Sequence, residues 1–218
     1  MNAATLAATT FAAAIAIAAS TSVARTTDVP PLDYSPASIS LQPAEPPAPE
    51  ATTAPAKSLA LYGAEGSQWL EVGYGAADNF TDSVDQYLFV TWSTFLAKDI
   101  ELGLEGGVWY FNQPGDNEAG ISGTLQFRWH FYNKDTWSAY LMAGIGVMGA
   151  TGDVPADGTS FDLMPRAGIG VTKQLTDAGL RLDLGLRWHH ISNARINGDD
   201  ENPSRDGAML YAGLIFPF

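Results

Sequence analysis

From residue 59 onward, apolar residues alternate with small or polar ones in segments of about ten residues, the length of a tilted membrane-crossing strand. The alternation predicts eight strands, at about residues 68–76, 85–96, 99–110, 120–132, 136–150, 160–173, 179–194 and 206–218. Between them, short turns at 97–98, 133–135 and 174–178 alternate with longer loops at 77–84, 111–119, 151–159 and 195–205. This is the arrangement of an all-β, eight-stranded antiparallel transmembrane β-barrel, with short periplasmic turns and long outer loops. An even strand count returns both barrel ends to the periplasmic side.

The two faces of each strand differ sharply. On the fourth strand Ile121, Leu125, Phe127, Trp129 and Phe131 share one parity, while Ser122, Thr124, Gln126, Arg128 and His130 share the other. The third separates Ile100, Leu102, Leu104, Val108 and Tyr110 from Glu101 and Glu105. Collected over the barrel, the polar faces set Glu71, Glu101, Glu105 and Asp183 against Arg128, Arg166, Arg181 and Arg187. A small barrel is filled by its inward side chains, so these charges are expected to pair, which argues against an open solute channel.

The first 58 residues follow another pattern. Residues 1–24 carry no charged side chain, run apolar through 12–19 and end in Ser22-Val23-Ala24, which reads as a secretory signal peptide. Residues 25–58 are rich in Pro, Ala and Thr without apolar periodicity, as in an extended periplasmic linker. The barrel is assigned to residues 59–218.

Composition adds exclusions. With 24 acidic against 11 basic side chains and a formal net charge of -13, a generalised nucleic-acid surface is ruled out. The absence of Cys removes thiolate metal sites and disulfides. The hydrophobic share of 46% against 16% charged suits a surface that faces lipid. Gly144-Ile145-Gly146-Val147-Met148-Gly149 matches a dinucleotide-binding glycine pattern but lies inside a strand with no following helix, so its glycines are assigned to packing. The acidic run Gly198, Asp199, Asp200 and Glu201 has no calcium-loop spacing and reads as a solvated loop tip.

One strand breaks the pattern of its lipid face. In the seventh, the row Leu180, Leu182, Leu184, Leu186, Trp188 leads into His190 and Ser192. Ten residues at ~3.3 Å each, tilted ~40°, rise ~25 Å, which places His190 and Ser192 at the outer edge of the hydrocarbon. Residues two apart on a strand share a face, close enough for an imidazole to reach a hydroxyl. Asp206 opens the lipid-facing parity of the last strand and emerges on the same side, so a Ser-His-acid arrangement could form. Such a site would open sideways onto the outer leaflet. The adjacent His189 has lumen parity and is expected to be hydrogen-bonded inside.

The run His190-Ile191-Ser192-Asn193-Ala194, followed by Asn202-Pro203 and a final strand, resembles the lipid A 3-O-deacylase (PagL) family, also called acyloxyacyl hydrolases. The resemblance implies an outer-membrane serine esterase that removes the ester-linked 3-position hydroxyacyl chain of lipid A without a cofactor or metal. Ser192 would be the nucleophile, His190 the general base, and Asn193 an oxyanion donor through its backbone. The family's final-strand Glu is matched here by Asp206, one methylene shorter, with Glu201 as a less well placed substitute. Arg195 stands where a small residue often follows the Asn-Ala pair. Arg195 and Arg205 flank the site and are candidates to contact a lipid A phosphate. The terminal Phe218 resembles the signal read by the barrel assembly machinery, and a homodimer is left open. The competing reading is a small non-catalytic structural or adhesive barrel.

Overall fold

A computed structural model describes residues 61–80, 83–134, 136–196, 198 and 202–218, so the leader and linker fall outside the described residues. The elements are β1 (Gln68–Asp78), β2 (Val84–Ala97), β3 (Ile100–Phe111), β4 (Glu118–Lys134), β5 (Trp137–Ala150), β6 (Phe161–Gln174), β7 (Arg181–Ile191) and β8 (Arg205–Pro217). All pairings are antiparallel between sequence neighbours, and β8 closes on β1 from Trp69↔Pro217 to Asp78↔Ala208. Closure leaves no strand edge with unpaired backbone groups, which a lipid environment requires.

Strand ends fall within two residues of the alternation everywhere but the outer end of β7. That strand stops at Ile191 instead of continuing to residue 194. The cause is local: Ile196 N donates to Asn193 O at 3.1 Å, and Ala194 and Arg195 have φ of 52° and 64°. This is a type I′ turn, and it ends the strand.

The outward row is apolar and exposed on every strand, for example Leu104 and Val108 on β3, Leu125 and Phe127 on β4, and Leu184 and Leu186 on β7. At the short-turn end, a bulge between Trp129 and Tyr132 brings Phe131 and Tyr132 out together beside Trp129 and Trp137. These rings form an aromatic band of the kind found at a membrane interface.

Inside, the expected charges are all buried. Arg128 bridges Glu71 at 2.9 Å and Asp183 at 3.2 Å, and Arg166 and Arg187 converge on Glu105. Arg181 departs from the expected carboxylate pairing: it donates to Thr172 Oγ1 at 3.0 Å, and its guanidinium lies 4.1 Å from the centre of the Tyr62 ring. Tyr62, in the segment before β1, closes the short-turn end of the barrel against Trp69, Phe95 and His130. Burial, followed by the Glu101 charge, raises its phenol well above the usual value and keeps it neutral. In the rejected glycine motif, a Cβ at Gly144 would lie 2.8 Å from Leu125 O, so that glycine allows β4 and β5 to approach.

Candidate active site

The site is built on the outer ends of β7 and β8. Their register pairs His190 with Asp206 and Trp188 with Ala208, so all four side chains fall on the outward face. His190 Nδ1 and Asp206 Oδ1 are 3.1 Å apart, with the side chains 28% and 45% exposed. With Nδ1–H donating to the carboxylate, the lone pair of Nε2 is left to act as a base. Trp188 Nε1 donates to the same Asp206 oxygen at 2.8 Å. Small Ala208 lies opposite Trp188, and the indole is tilted 30° to the imidazole at a centroid distance of 6.1 Å. One carboxylate oxygen is therefore fixed by two donors.

Ser192 lies one residue past β7 and is 8% exposed. It is clamped to β6 by a two-way bridge, Ser192 N to Leu163 O at 3.2 Å and Leu163 N to Ser192 O at 2.9 Å. Among the described residues no hydrogen bond joins Ser192 Oγ to His190. Ser–His hydrogen bonds at a binding site often tighten only when a ligand is in place. The backbone that carries Ser192 is thus anchored to β6.

Asn193 is 3% exposed, and its side-chain oxygen accepts from Arg195 N at 2.8 Å. The amide of Arg195 is therefore engaged within the turn. Ala194 and Arg195 both hold left-handed backbone without being glycine, at roughly 1–2 kcal/mol each. Strain of this kind is retained where the turn positions something, here the residues that follow Ser192. Arg195→Gly should relieve it and stabilise the fold by about 1 kcal/mol, read as a higher urea midpoint.

Arg205 does not flank the site. It is the first residue of β8, so if Asp206 faces lipid, Arg205 must face the lumen. There it is 7% exposed and bonded to Asp85 Oδ1 at 2.5 Å, Asp85 Oδ2 at 3.1 Å and Asn112 O at 2.9 Å. Its expected phosphate contact is replaced by a cross-barrel strut. Glu201, the alternative acid, lies outside the described residues, as do Asp199 and Asp200. His189 faces the lumen as expected, beside Trp109 at 5.3 Å, but neither ring nitrogen has a hydrogen-bond partner among the described residues. Among those residues no group of three metal-ligating side chains forms.

Sequence reasoning missed Trp188, which was read only as part of the apolar row. The available signal was a Trp two residues before a same-face His, with an N–H that needs a partner in an apolar setting.

Comparisons with known proteins bear on this site. The crystal structure of Neisserial surface protein A superposes with a TM-score of 0.53 at 16% identity, covering 70% of this chain and 96% of that one. The crystal structure of the outer membrane enzyme PagL gives 0.52 at 21% identity, covering 69% and 99%. Both share the fold. No curated protein matches the chain. The profile of the lipid A 3-O-deacylase (PagL) family matches residues 82–214, well over half of the sequence. That span takes in Trp188, His190, Ser192, Asn193 and Asp206, and the chain belongs to the lipid A 3-O-deacylase (PagL) family.

Proposed function

We propose that this outer-membrane barrel is a serine esterase that hydrolyses the ester linking the hydroxyacyl chain to the 3-position of lipid A. The observation that carries the reading is the His190–Asp206 pair on the outward face, with Ser192 one step further out. A membrane lipid can reach such a site laterally without leaving the leaflet. In the reaction, Ser192 Oγ attacks the ester carbonyl carbon while His190 Nε2 takes its proton, and Asp206 holds the imidazole and stabilises the imidazolium. We assign the backbone N–H of Asn193, adjacent to the nucleophile, to the developing oxyanion. Collapse expels the sugar 3-oxygen, which takes the proton from His190. Water, activated by the same imidazole, then releases the fatty acid and restores Ser192.

The test is mass. Expressed in a Gram-negative host, the protein should leave lipid A lighter by one 3-hydroxyacyl chain. Unchanged lipid A in the presence of correctly folded barrel would decide for a structural or adhesive role.

Trp188 has a positioning role in this scheme, because it fixes the oxygen that orients His190. Trp188→Phe keeps an aromatic ring at the interface but removes the donor. Losing a hydrogen bond to a charged group should lower kcat by ~10-fold with little change in KM. A rise in KM with kcat intact would mean that the indole serves as a lipid anchor instead.

Arg195 remains the candidate for a lipid A phosphate. Arg195→Ala should raise KM on phosphorylated lipid A by ~10-fold, as for loss of a charge-assisted bond, and narrow the gap to dephosphorylated lipid A. An unchanged gap would remove Arg195 from substrate binding.

A further inference from the structure

Lysine is distributed unevenly over the barrel. Within residues 59–218 the lysines are Lys98, Lys134 and Lys173, and each stands at the short-turn end. The longer loops contain no lysine and are acidic, with Asp116, Asp153 and Asp157 among their residues.

Two of these lysines form a row. The β4–β5 register sets Lys134 opposite Trp137, and the β5–β6 register sets Trp137 opposite Lys173. Residues opposite one another on neighbouring strands share a face, so the three side chains stand side by side on the lipid face. The bulge between Trp129 and Tyr132 makes this possible: without it, Lys134 would keep the inward parity of Arg128 and His130. With strands ~4.8 Å apart, the two lysines are ~10 Å apart at their Cα atoms, and the indole lies between them.

Lys173 is held in position. Its Nζ donates to Thr136 Oγ1 at 2.7 Å and lies 4.6 Å from the centre of the Trp137 ring. An ammonium carries three donors, so this arrangement fixes the group without exhausting it. Ordering a long side chain costs entropy, which here is lost before a ligand arrives. Neither Lys134 nor Lys173 is ion-paired with a carboxylate among the described residues. Of the acids at this end, Asp99 accepts from Asn133 Nδ2 at 2.7 Å, Glu65 and Asp177 belong to the segment before β1 and the β6–β7 turn, and Asp135 lies outside the described residues.

Toward the bilayer centre the same three strands continue with Tyr132, Ala139 and Val171, again opposite one another. Ala139 is small and stands between two larger exposed side chains, so a shallow apolar groove follows the charged row.

We propose that Lys134, Trp137 and Lys173 form a binding site for the phosphate of an anionic glycerophospholipid in the leaflet at the short-turn end, with one acyl chain lying over Ala139. Two ammonium groups attract the phosphodiester, and the indole between them meets the glycerol–ester region, the depth at which amphipathic rings settle. The occupant is not the substrate of the proposed esterase. Lys173 pairs with Leu182, eight residues before His190 on β7, which at ~3.3 Å per residue and a ~40° tilt is a rise of ~20 Å. The row and Ser192 therefore meet different leaflets, and the site does not depend on what Ser192 does.

The test is native mass spectrometry of the full chain in detergent with dioleoylphosphatidylglycerol or with dioleoylglycerol, which has the same chains and no phosphate. Phosphatidylglycerol should be retained in preference to dioleoylglycerol. Lys134→Gln and Lys173→Gln should each weaken its binding ~5-fold, as for one basic side chain at a membrane surface, and together ~25-fold. Lys134→Arg with Lys173→Arg keeps both charges and should bind nearly as the parent does. On the unsubstituted protein, raising ammonium acetate from about 0.1 to about 1 M should weaken the complex, because exposed charges are then screened. Heat-modifiable migration checks that each variant is a closed barrel. Equal retention of dioleoylglycerol overturns the site, since apolar contact alone would then suffice, as does undiminished binding in the double Gln variant. Lipid A retained as tightly, with the same dependence on both lysines, overturns the assignment to a phospholipid.

Discussion

Ser192→Ala should abolish deacylation, with lipid A from cells producing the variant keeping its full mass and kcat on purified lipid A falling by ~10⁴–10⁶-fold. The magnitude follows from the division of labour. Ser192 supplies the bond-forming atom, and neither His190 nor Asp206 is positioned to replace it without moving the β7–β8 register that pairs them. The fold should survive, because Ser192 is held to β6 through backbone atoms that alanine retains. Heat-modifiable migration on gels would confirm a closed barrel in the same sample. His190→Ala should lose activity on a similar scale, since both residues act as one unit. A variant at Ser192 that keeps even a tenth of the activity would eliminate the covalent route.

Much of the site was legible because a strand has a strict period of two. Once Trp188 faces lipid, His190 must do so as well, and Asp206 follows from the parity of the last strand. The same rule fixes Arg205 on the inside. That conclusion was missed because Arg205 was assigned to a loop, where parity does not apply. Its partner Asp85 lies 120 positions away in the chain and is brought near only by closure of the barrel. The turn that cuts β7 short was hidden for another reason: Ala194 and Arg195 carry none of the Gly or Asn signals that usually mark left-handed backbone.

The barrel itself was more legible than the lumen. Alternation and loop lengths depend on residues close in sequence, whereas the partners of an inward charge depend on which strands face each other across the interior. Equal numbers of opposite charges were visible on the inward faces, but not that Glu105 would take two arginines or that Arg181 would rest on Tyr62. His189 illustrates the remaining gap. Parity put it inside, yet its ring packs against Trp109 and over Gly207 and has no hydrogen-bond partner among the described residues.

The largest stability effect is expected at Glu105. Its carboxylate sits on β3 and receives Arg166 from β6 and Arg187 from β7, with Tyr87 Oη donating at 2.8 Å. All four side chains are buried, so the cluster ties the wall beneath the active site to the opposite side of the barrel. Removing the carboxylate leaves two guanidiniums without a counter-charge in a dry interior. Glu105→Ala should therefore destabilise the barrel by about 3–5 kcal/mol, seen as a lower urea midpoint for unfolding from detergent or lipid. Glu105→Gln should cost less, because it keeps the shape and one acceptor while losing the charge. Replacing the cluster together, as Glu105→Leu with Arg166→Met and Arg187→Met, should recover most of the loss, since a buried ion cluster adds little net stability over well-packed apolar side chains. If Glu105→Ala unfolds at the same midpoint as the parent, water enters the lumen freely enough to solvate both arginines, and the sealed, side-chain-filled interior is wrong.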